Sequence, residues 1–414
     1  MNYSVEELEH YTGEIEDLCN YSRLRRLRIV NNKFNGVLDN LPECLEELEL
    51  NCNRFNNILD KLPEGLKILR IDSVSFENEL NKLPDNLEEL YIKNSKLING
   101  LKNLPLNLKK LNIFTLILSI NNNFSYLHNL EELKIEGGYI VLDIERLPRS
   151  LKKLCIRSDC IENKLLLDKL PEKLEKLEIC NACFNEELIL PDSVEELCII
   201  SENFNRELNN LPLNLKRLKL DLECLIQRMD KLYNLDELEI CCGDLCIDIG
   251  YLPINLRVLD IKYSYTDNKI DFSKLPDSLK ILKIKNKIFE EKLVSLPEGL
   301  IELHIECFIF NEELNKLPEG LIELHIEGSD FNRELNNLPV GLKKLEIKSD
   351  EFDKELNNLP LDLEVLEFYC AEYKRKLDNL PLSLKLLISY KITNYKLEDL
   401  ISNLPLNCVL EIKN

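Results

Sequence analysis

Alanine is nearly absent from these 414 residues, occurring only as Ala182 and Ala371. The chain is filled instead with Leu, Asn, Lys, Glu and Ile, a bias of AT-rich codons that carries no structural message. No run of 18 apolar residues exists, so the sequence offers no membrane-spanning helix. The opening MNYSVEELEHYTGEIEDL is acidic and lacks an apolar stretch, which argues against a signal peptide. Basic charge is in deficit, 53 Lys and Arg against 74 Asp and Glu, so the net charge of −21 argues against general nucleic-acid binding. Fifteen cysteines are an odd number in no repeating pattern, and with no export signal they read as reduced thiols. A cytoplasmic or nuclear location follows, and not a secreted one.

What the chain does have is a repeat. LPEGLIELHIE stands at Leu296–Glu306 and again, unchanged, at Leu317–Glu327, and the tails after each copy share Phe, Asn, Glu, Leu and Asn in register. The unit reads L-P-x-x-L-x-x-L-x-I-x-x-x-x-F-N-x-x-L-x-x. Counted from the Leu after L-P-x-x, Leu321 is position 1, Leu324 position 4, Ile326 position 6 and Phe331 position 11. Apolar residues alternate with polar ones across positions 4 to 6, the mark of a short strand with one buried face. Stacked units place these strands parallel and in register. One unit is too small to bury a core, so stability must come from its neighbours. The reading is a helical cap over residues 1–23, centred on Val5–Tyr21, then one solenoid over 24–414 with about 19 strands at a period near 21.

All 16 prolines occupy the same L-P site. Proline lacks an N–H and biases the residue before it to extended geometry, so the return segment should be extended rather than helical. Two interior units read Leu-x-Asn-Leu instead, at Leu127–Leu130 and Leu232–Leu235. Before the second, Leu222, Leu225, Ile226 and Met229 fall at helical spacing, which predicts a short helix there. Position 2 alternates in sign: Arg25, Glu46, Lys67, Glu88, Lys109, Glu131, Lys152, Glu175. Equal positions in such a sheet lie about 4.8 Å apart, so this row reads as a charge ladder.

The pattern resembles the leucine-rich repeat, and the pairs Phe34-Asn35, Phe55-Asn56, Phe184-Asn185, Phe204-Asn205, Phe310-Asn311 and Phe331-Asn332 resemble the FNIP-type repeat of amoebae and giant DNA viruses. Two departures stand out. No proline follows these F-N pairs as one does in that family, and Asn at position 9 survives only as Asn32 and Asn53. The resemblance implies an α/β-type repeat solenoid. One parallel sheet would line its concave face, with mostly extended, non-helical convex segments. It also implies an intracellular protein-binding role, and supplies no catalytic residue.

Concave positions 5, 7 and 8, or their equivalents, carry aromatics at Tyr91, Phe114, Tyr263, Tyr369 and Tyr390, which suit binding hot spots. His304 and His325 share position 5 of neighbouring units, with Glu302, Glu306, Glu323 and Glu327 beside them. These histidines, and Cys180-x-x-Cys183, are the weak metal candidates; duplication of one exposed His and idle thiols are the plainer readings. No nucleophile with an oxyanion site is recognisable, so no catalytic residue and no cofactor is assigned. The expected function is a protein-binding scaffold acting through the concave sheet, its partner an unidentified protein. The alternatives are the substrate-recognition subunit of a ubiquitin ligase assembled from separate chains, and a thiol or His metal protein. The last units are rich in apolar residues, so a homodimer through the C-terminal end, using Tyr390, Ile392, Tyr395, Val409 and Ile412, is a further expectation.

The inward face can be tested directly. Pro318→Ala should cost about 1 kcal/mol or less, whereas Leu324→Asp should disrupt the array in a urea melt. Equal melts would overturn the assignment of positions 4 and 6.

Overall fold

The computed structural model describes residues 6–11, 15–80, 82–97, 101, 103–118, 123–140, 142–161, 167–208, 210–225, 228–245, 249–265, 270–288, 292–293, 295–371, 373–390, 400–401 and 403–413. The chain falls into two compact units, Met1–Pro212 and Leu213–Asn414, and the repeat continues through both. In the first unit the strands are β1 Glu7–Tyr11, β2 Arg26–Val30, β3 Glu47–Asn51, β4 Ile68–Asp72, β5 Glu89–Leu97, β6 Lys110–Leu118, β7 Glu132–Ile140, β8 Lys153–Ile161, β9 Lys176–Cys180 and β10 Glu196–Ser201. In the second they are β11 Arg217–Leu225, β12 Glu237–Leu245, β13 Val258–Tyr265, β14 Ile281–Asn286, β15 Glu302–Glu306, β16 Glu323–Glu327, β17 Lys344–Ser349, β18 Val365–Cys370, β19 Leu386–Tyr390 and β20 Val409–Lys413. Within each unit every strand pairs in parallel with the next in the chain, equal positions facing each other, as in Leu303 with Leu324 and Leu48 with Leu69.

Apart from β1, each strand begins at position 3 of its repeat, and nineteen repeat strands lie among the described residues. Positions 4 and 6 form the core: Leu303, Ile305, Leu324 and Ile326 are all 1% exposed or less. Positions 3, 5 and 7 face outward. The turn that leads into each strand is closed by the position-1 N–H donating to the proline carbonyl three residues earlier, at 3.1 Å for Leu321 to Pro318. Leu130 and Leu235 donate in the same way to Leu127 and Leu232, both at 3.0 Å, so the turn does not need proline.

Three expectations change. Among the described residues there is no α-helix, only short 3-10 turns, so the fold is a parallel β-solenoid rather than an α/β one. Residues 1–23 contain strand β1 and a 3-10 turn at Ile15–Asn20 in place of a helical cap. The alternation in Glu7–Tyr11 has the period of a strand, and β2 offers the backbone groups it needs. Leu222 and Leu225 lie in β11, because that strand runs on past position 8 beside the equally long β12.

Two rows of side chains bind the repeats together, and neither stands at position 9. At position 8, inward side chains donate to carbonyls of the preceding repeat. Ser73 Oγ reaches the Phe55 carbonyl at 2.8 Å, Asn181 Nδ2 that of Ser158 at 2.8 Å, Asn286 Nδ2 that of Tyr263 at 2.8 Å and Ser349 Oγ that of Phe331 at 2.9 Å. Cys52, Cys242, Cys307 and Cys370 take the same position and are buried, a structural use for four of the thiols. At position 12 the side-chain oxygen of the F-N asparagine accepts a backbone N–H from the next repeat. Asn35 accepts from Asn56 at 2.8 Å, Asn311 from Asn332 at 3.0 Å, and Asn332 from Asp353 at 3.1 Å. Beside it the position-11 rings stack: Phe34 on Phe55 with centroids 6.0 Å apart, Phe310 on Phe331 at 5.8 Å, Phe331 on Phe352 at 5.9 Å.

The position-2 row forms its pairs. Glu46 sits between Arg25 at 2.6 Å and Lys67 at 2.8 Å, and Lys109 meets Glu88 at 2.8 Å. These exposed pairs hold register more than they add stability.

Two substitutions test the rows. Asn332→Ala strands the Asp353 N–H and should cost about 1–3 kcal/mol in a urea melt. Lys109→Glu puts three acids in one row, so the melting temperature should fall at low salt and recover in part as salt screens the repulsion. An unchanged melt in either case would remove that row from the account.

Candidate functional site

The repeat copies that share LPEGLIELHIE diverge in the next three residues, Cys307-Phe308-Ile309 against Gly328-Ser329-Asp330. There the surface of the second unit opens. A groove of about 350 Å³ runs along the C-terminal ends of its strands. Phe308, 64% exposed at position 9, forms one wall. Small residues Gly328, Ser329 and Ser349 make the floor. Gly328 is required where it stands: an added Cβ would overlap the Cys307 carbonyl oxygen. Tyr369 closes the far side. Lys262, Lys285 and Lys287 lie toward one end and Glu327 and Asp350 toward the other.

The structure brings some of the expected residues together and separates others. In the first unit Tyr91 and Phe114 are neighbours, ring centroids 4.9 Å apart, with the Lys134 amine 5.0 Å above Phe114. In the second, Tyr369 meets Tyr390 edge-on at 5.5 Å. Tyr390 is held within the array: its hydroxyl donates to Glu367 at 2.7 Å and Lys413 lies 5.5 Å over its ring. Tyr263 is 3% exposed, not outward, because position 8 points to the core; it reaches the groove only from beneath. Ile392 and Tyr395 fall outside the described residues. Phe308 and the lysines were missed, although the divergence of two near-identical repeats at Cys307-Phe308-Ile309 was a signal for Phe308.

His304 and His325 stack face to face, centroids 3.9 Å apart and planes 8° from parallel. A metal lies in the plane of an imidazole at about 2 Å from its nitrogen, so two parallel stacked rings cannot share one ion. Instead His325 bonds Glu346 at 2.6 Å and approaches Glu323 at 3.3 Å. The hydrogen bond from His325, aided by Lys348, holds the Glu346 carboxyl down at about 2. Burial and the neighbouring His325 push His304 down to about 4, so it is neutral near pH 7.

Two of the described thiols are held in the protonated form. Burial and Glu178 push Cys155 up to about 12. Contact with Cys198, then burial, raises Cys180 further. Cys183 is exposed, and among the described residues no three His, Cys, Asp or Glu gather as a metal would need. No described helix is long and apolar enough to cross a membrane.

Solved structures similar to the chain include leucine-rich-repeat proteins, and the fold is of that type. CroV588, a circular leucine-rich-repeat protein from a giant virus, is 22% identical over 95% of this chain and 67% of its own, with a TM-score of 0.64. The Leptospira interrogans leucine-rich-repeat protein LIC12759 is 18% identical over 97% and 99%, with a TM-score of 0.50. TLR13, solved in a complex with the RNA ssRNA13, is 19% identical over 93% and 68%, with a TM-score of 0.53. No family model and no curated protein matches the chain.

The buried imidazole sets a pH dependence. The folded pKa of His304 lies below the ordinary 6.5, so the unfolded chain takes the proton first. Stability from this group is complete above pH 6.5 and is lost as pH falls through 6.5 towards 4. The loss is on the order of 1–3 kcal/mol. Melting temperature across that window should fall less in His304→Gln than in the parent; equal slopes would mean the ring is not desolvated.

Proposed function

We propose that the protein is a binding scaffold without chemistry of its own, and that the groove of the second unit is where it holds a partner protein. The observation that carries this reading is the exposed wall of Phe308 beside a floor of small residues, with Tyr369 opposite. A large apolar side chain entering there would lose water on several sides at once, the setting in which aromatic anchors dominate binding. The partner segment suited to it is extended, with one aromatic or aliphatic side chain and an acid beside it to meet Lys262 and Lys287. Neither lysine has an ion pair among those the structure shows. Tyr91, Phe114 and Lys134 form a smaller patch of the same kind in the first unit.

We also assign the repeats to the FNIP type. What supports this is the use of the F-N pair, with its Phe in the stacked row and its Asn in the position-12 row. A second reading, self-association through β20, has support in Val409 and Ile412, which are 62% and 44% exposed. Light scattering over a range of concentrations separates it from a monomeric scaffold.

Peptide display against the full chain tests the groove. Selected peptides should share an apolar residue next to an acid, and Phe308→Asp should weaken them about tenfold, a loss of 1.4 kcal/mol, with an unchanged melt. Peptides that bind parent and Phe308→Asp alike would overturn the site.

A further inference from the structure

The residue after each proline in L-P-x-x-L stands at the outer corner of the turn, before the strand begins. In the first unit this corner is polar or charged in six of the seven proline turns from Glu43 to Asp192, with Leu106 as the exception. In the second unit it is sorted into blocks, starting with the exposed apolar Leu213, Tyr233 (in the turn without proline) and Ile254. Asp277, Glu298 and Glu319 come in three consecutive repeats and are exposed. Val340, Leu361, Leu382 and Leu406 follow in the next four, at 68%, 79%, 93% and 102% exposure.

Three adjacent corner acids also occur at Glu43, Glu64 and Asp85; what sets the second unit apart is an acidic block followed directly by a four-rung aliphatic one. Scattered single aliphatics are ordinary on a surface, but four on adjacent rungs make a continuous stripe. In the position-2 row from Arg25 to Glu175 acids alternate with bases, and Glu46 pairs with both Arg25 and Lys67. The three corner acids stand side by side, and none has an ion pair among the described residues.

We propose that this ridge is a docking surface for an amphipathic helix of a partner protein, apolar along one half of its inner face and basic along the other. Charge complementarity fixes the basic half. Spacing fixes the helix. Rungs about 4.8 Å apart place the four aliphatics at about 0, 5, 10 and 14 Å. Helix residues i, i+3, i+7 and i+10 rise to about 0, 4.5, 10.5 and 15 Å, in step with them. An extended strand repeats its face every 6.6–6.8 Å or so and is out of step by the third rung. The seven rungs together span about 29 Å, or about 19 helical residues. The ridge precedes the strands and the groove follows them, so the two surfaces are independent. An anionic membrane is a poor occupant, because the three acids and the net charge of −21 would repel it.

The probe is a labelled 22-residue helical peptide with Leu at 1, 4, 8 and 11 and Lys at 15, 18 and 22. Its anisotropy is read with the full chain. We expect binding that weakens as salt rises. Leu361→Ser with Leu382→Ser should weaken it about tenfold, and Glu298→Gln with Glu319→Gln about fivefold. Phe308→Asp should leave it unchanged, which separates this surface from the groove. All four ridge side chains are exposed, and a thermal melt checks that the variants fold. Equal binding by a peptide with shuffled Leu positions would overturn the proposal, as would equal binding by the ridge variants. A concentration-dependent dimer that Leu361→Ser with Leu382→Ser abolishes, with no peptide binding, would give the ridge to a second copy of the chain and also overturn it.

Discussion

Every feature of this fold depends on one constraint: parallel strands stacked in register set each side chain against its own counterpart one strand spacing away. A residue type is therefore acceptable only if it tolerates its own position in the next repeat. Leu and Ile at positions 4 and 6 do so by packing, and the phenyl rings at position 11 by stacking. Charges tolerate it best by alternating sign, as at position 2 from Arg25 to Glu175. Hydrogen-bonding side chains tolerate it by having donor and acceptor displaced along the stack, which is what the asparagines at position 12 achieve.

This is also why so much was legible in the sequence. Position 1, the strand starts, the number of repeat strands, the inward face and the charge row follow from a period that tolerates little variation. The position-8 row was not legible, because Asn, Ser, Thr and Cys all fill it and no single letter repeats. What unites them is small size and a polar atom that can reach one carbonyl, a property a consensus of letters does not display. Tyr263 was misplaced for the same reason: position 8 looks free when its occupants vary, yet it points inward. Within Val5–Tyr21 and at Leu222, Leu225, Ile226 and Met229 the spacing suggested helix; at Glu7–Tyr11 and at Leu222 and Leu225 the neighbouring strand's open backbone decided otherwise, and Ile226 lies outside the described residues. The groove announced itself only as a difference between twins, Cys307-Phe308-Ile309 against Gly328-Ser329-Asp330.

The two candidate surfaces share a logic. Both arise where the row rule is relaxed on the outside of the array, at position 9 for Phe308 and at the turn corner for Val340 to Leu406. Core rows cannot drift without harming neighbours on both sides, whereas exposed rows can. Departures from repetition on an exposed row are therefore the places where a solenoid of this kind carries information.

The stacked phenyl row has a consequence for how the chain assembles. Each ring meets a partner about one repeat away, however long the chain is, so closing a contact never requires a distant segment to be found. Parallel sheets usually fold slowly, because their pairings join remote parts of the sequence. Here an ordered repeat offers the next one a finished surface of rings, carbonyls and strand edge. The costly event is the first pair of repeats; after it, order spreads along the chain as a front and needs no second nucleus.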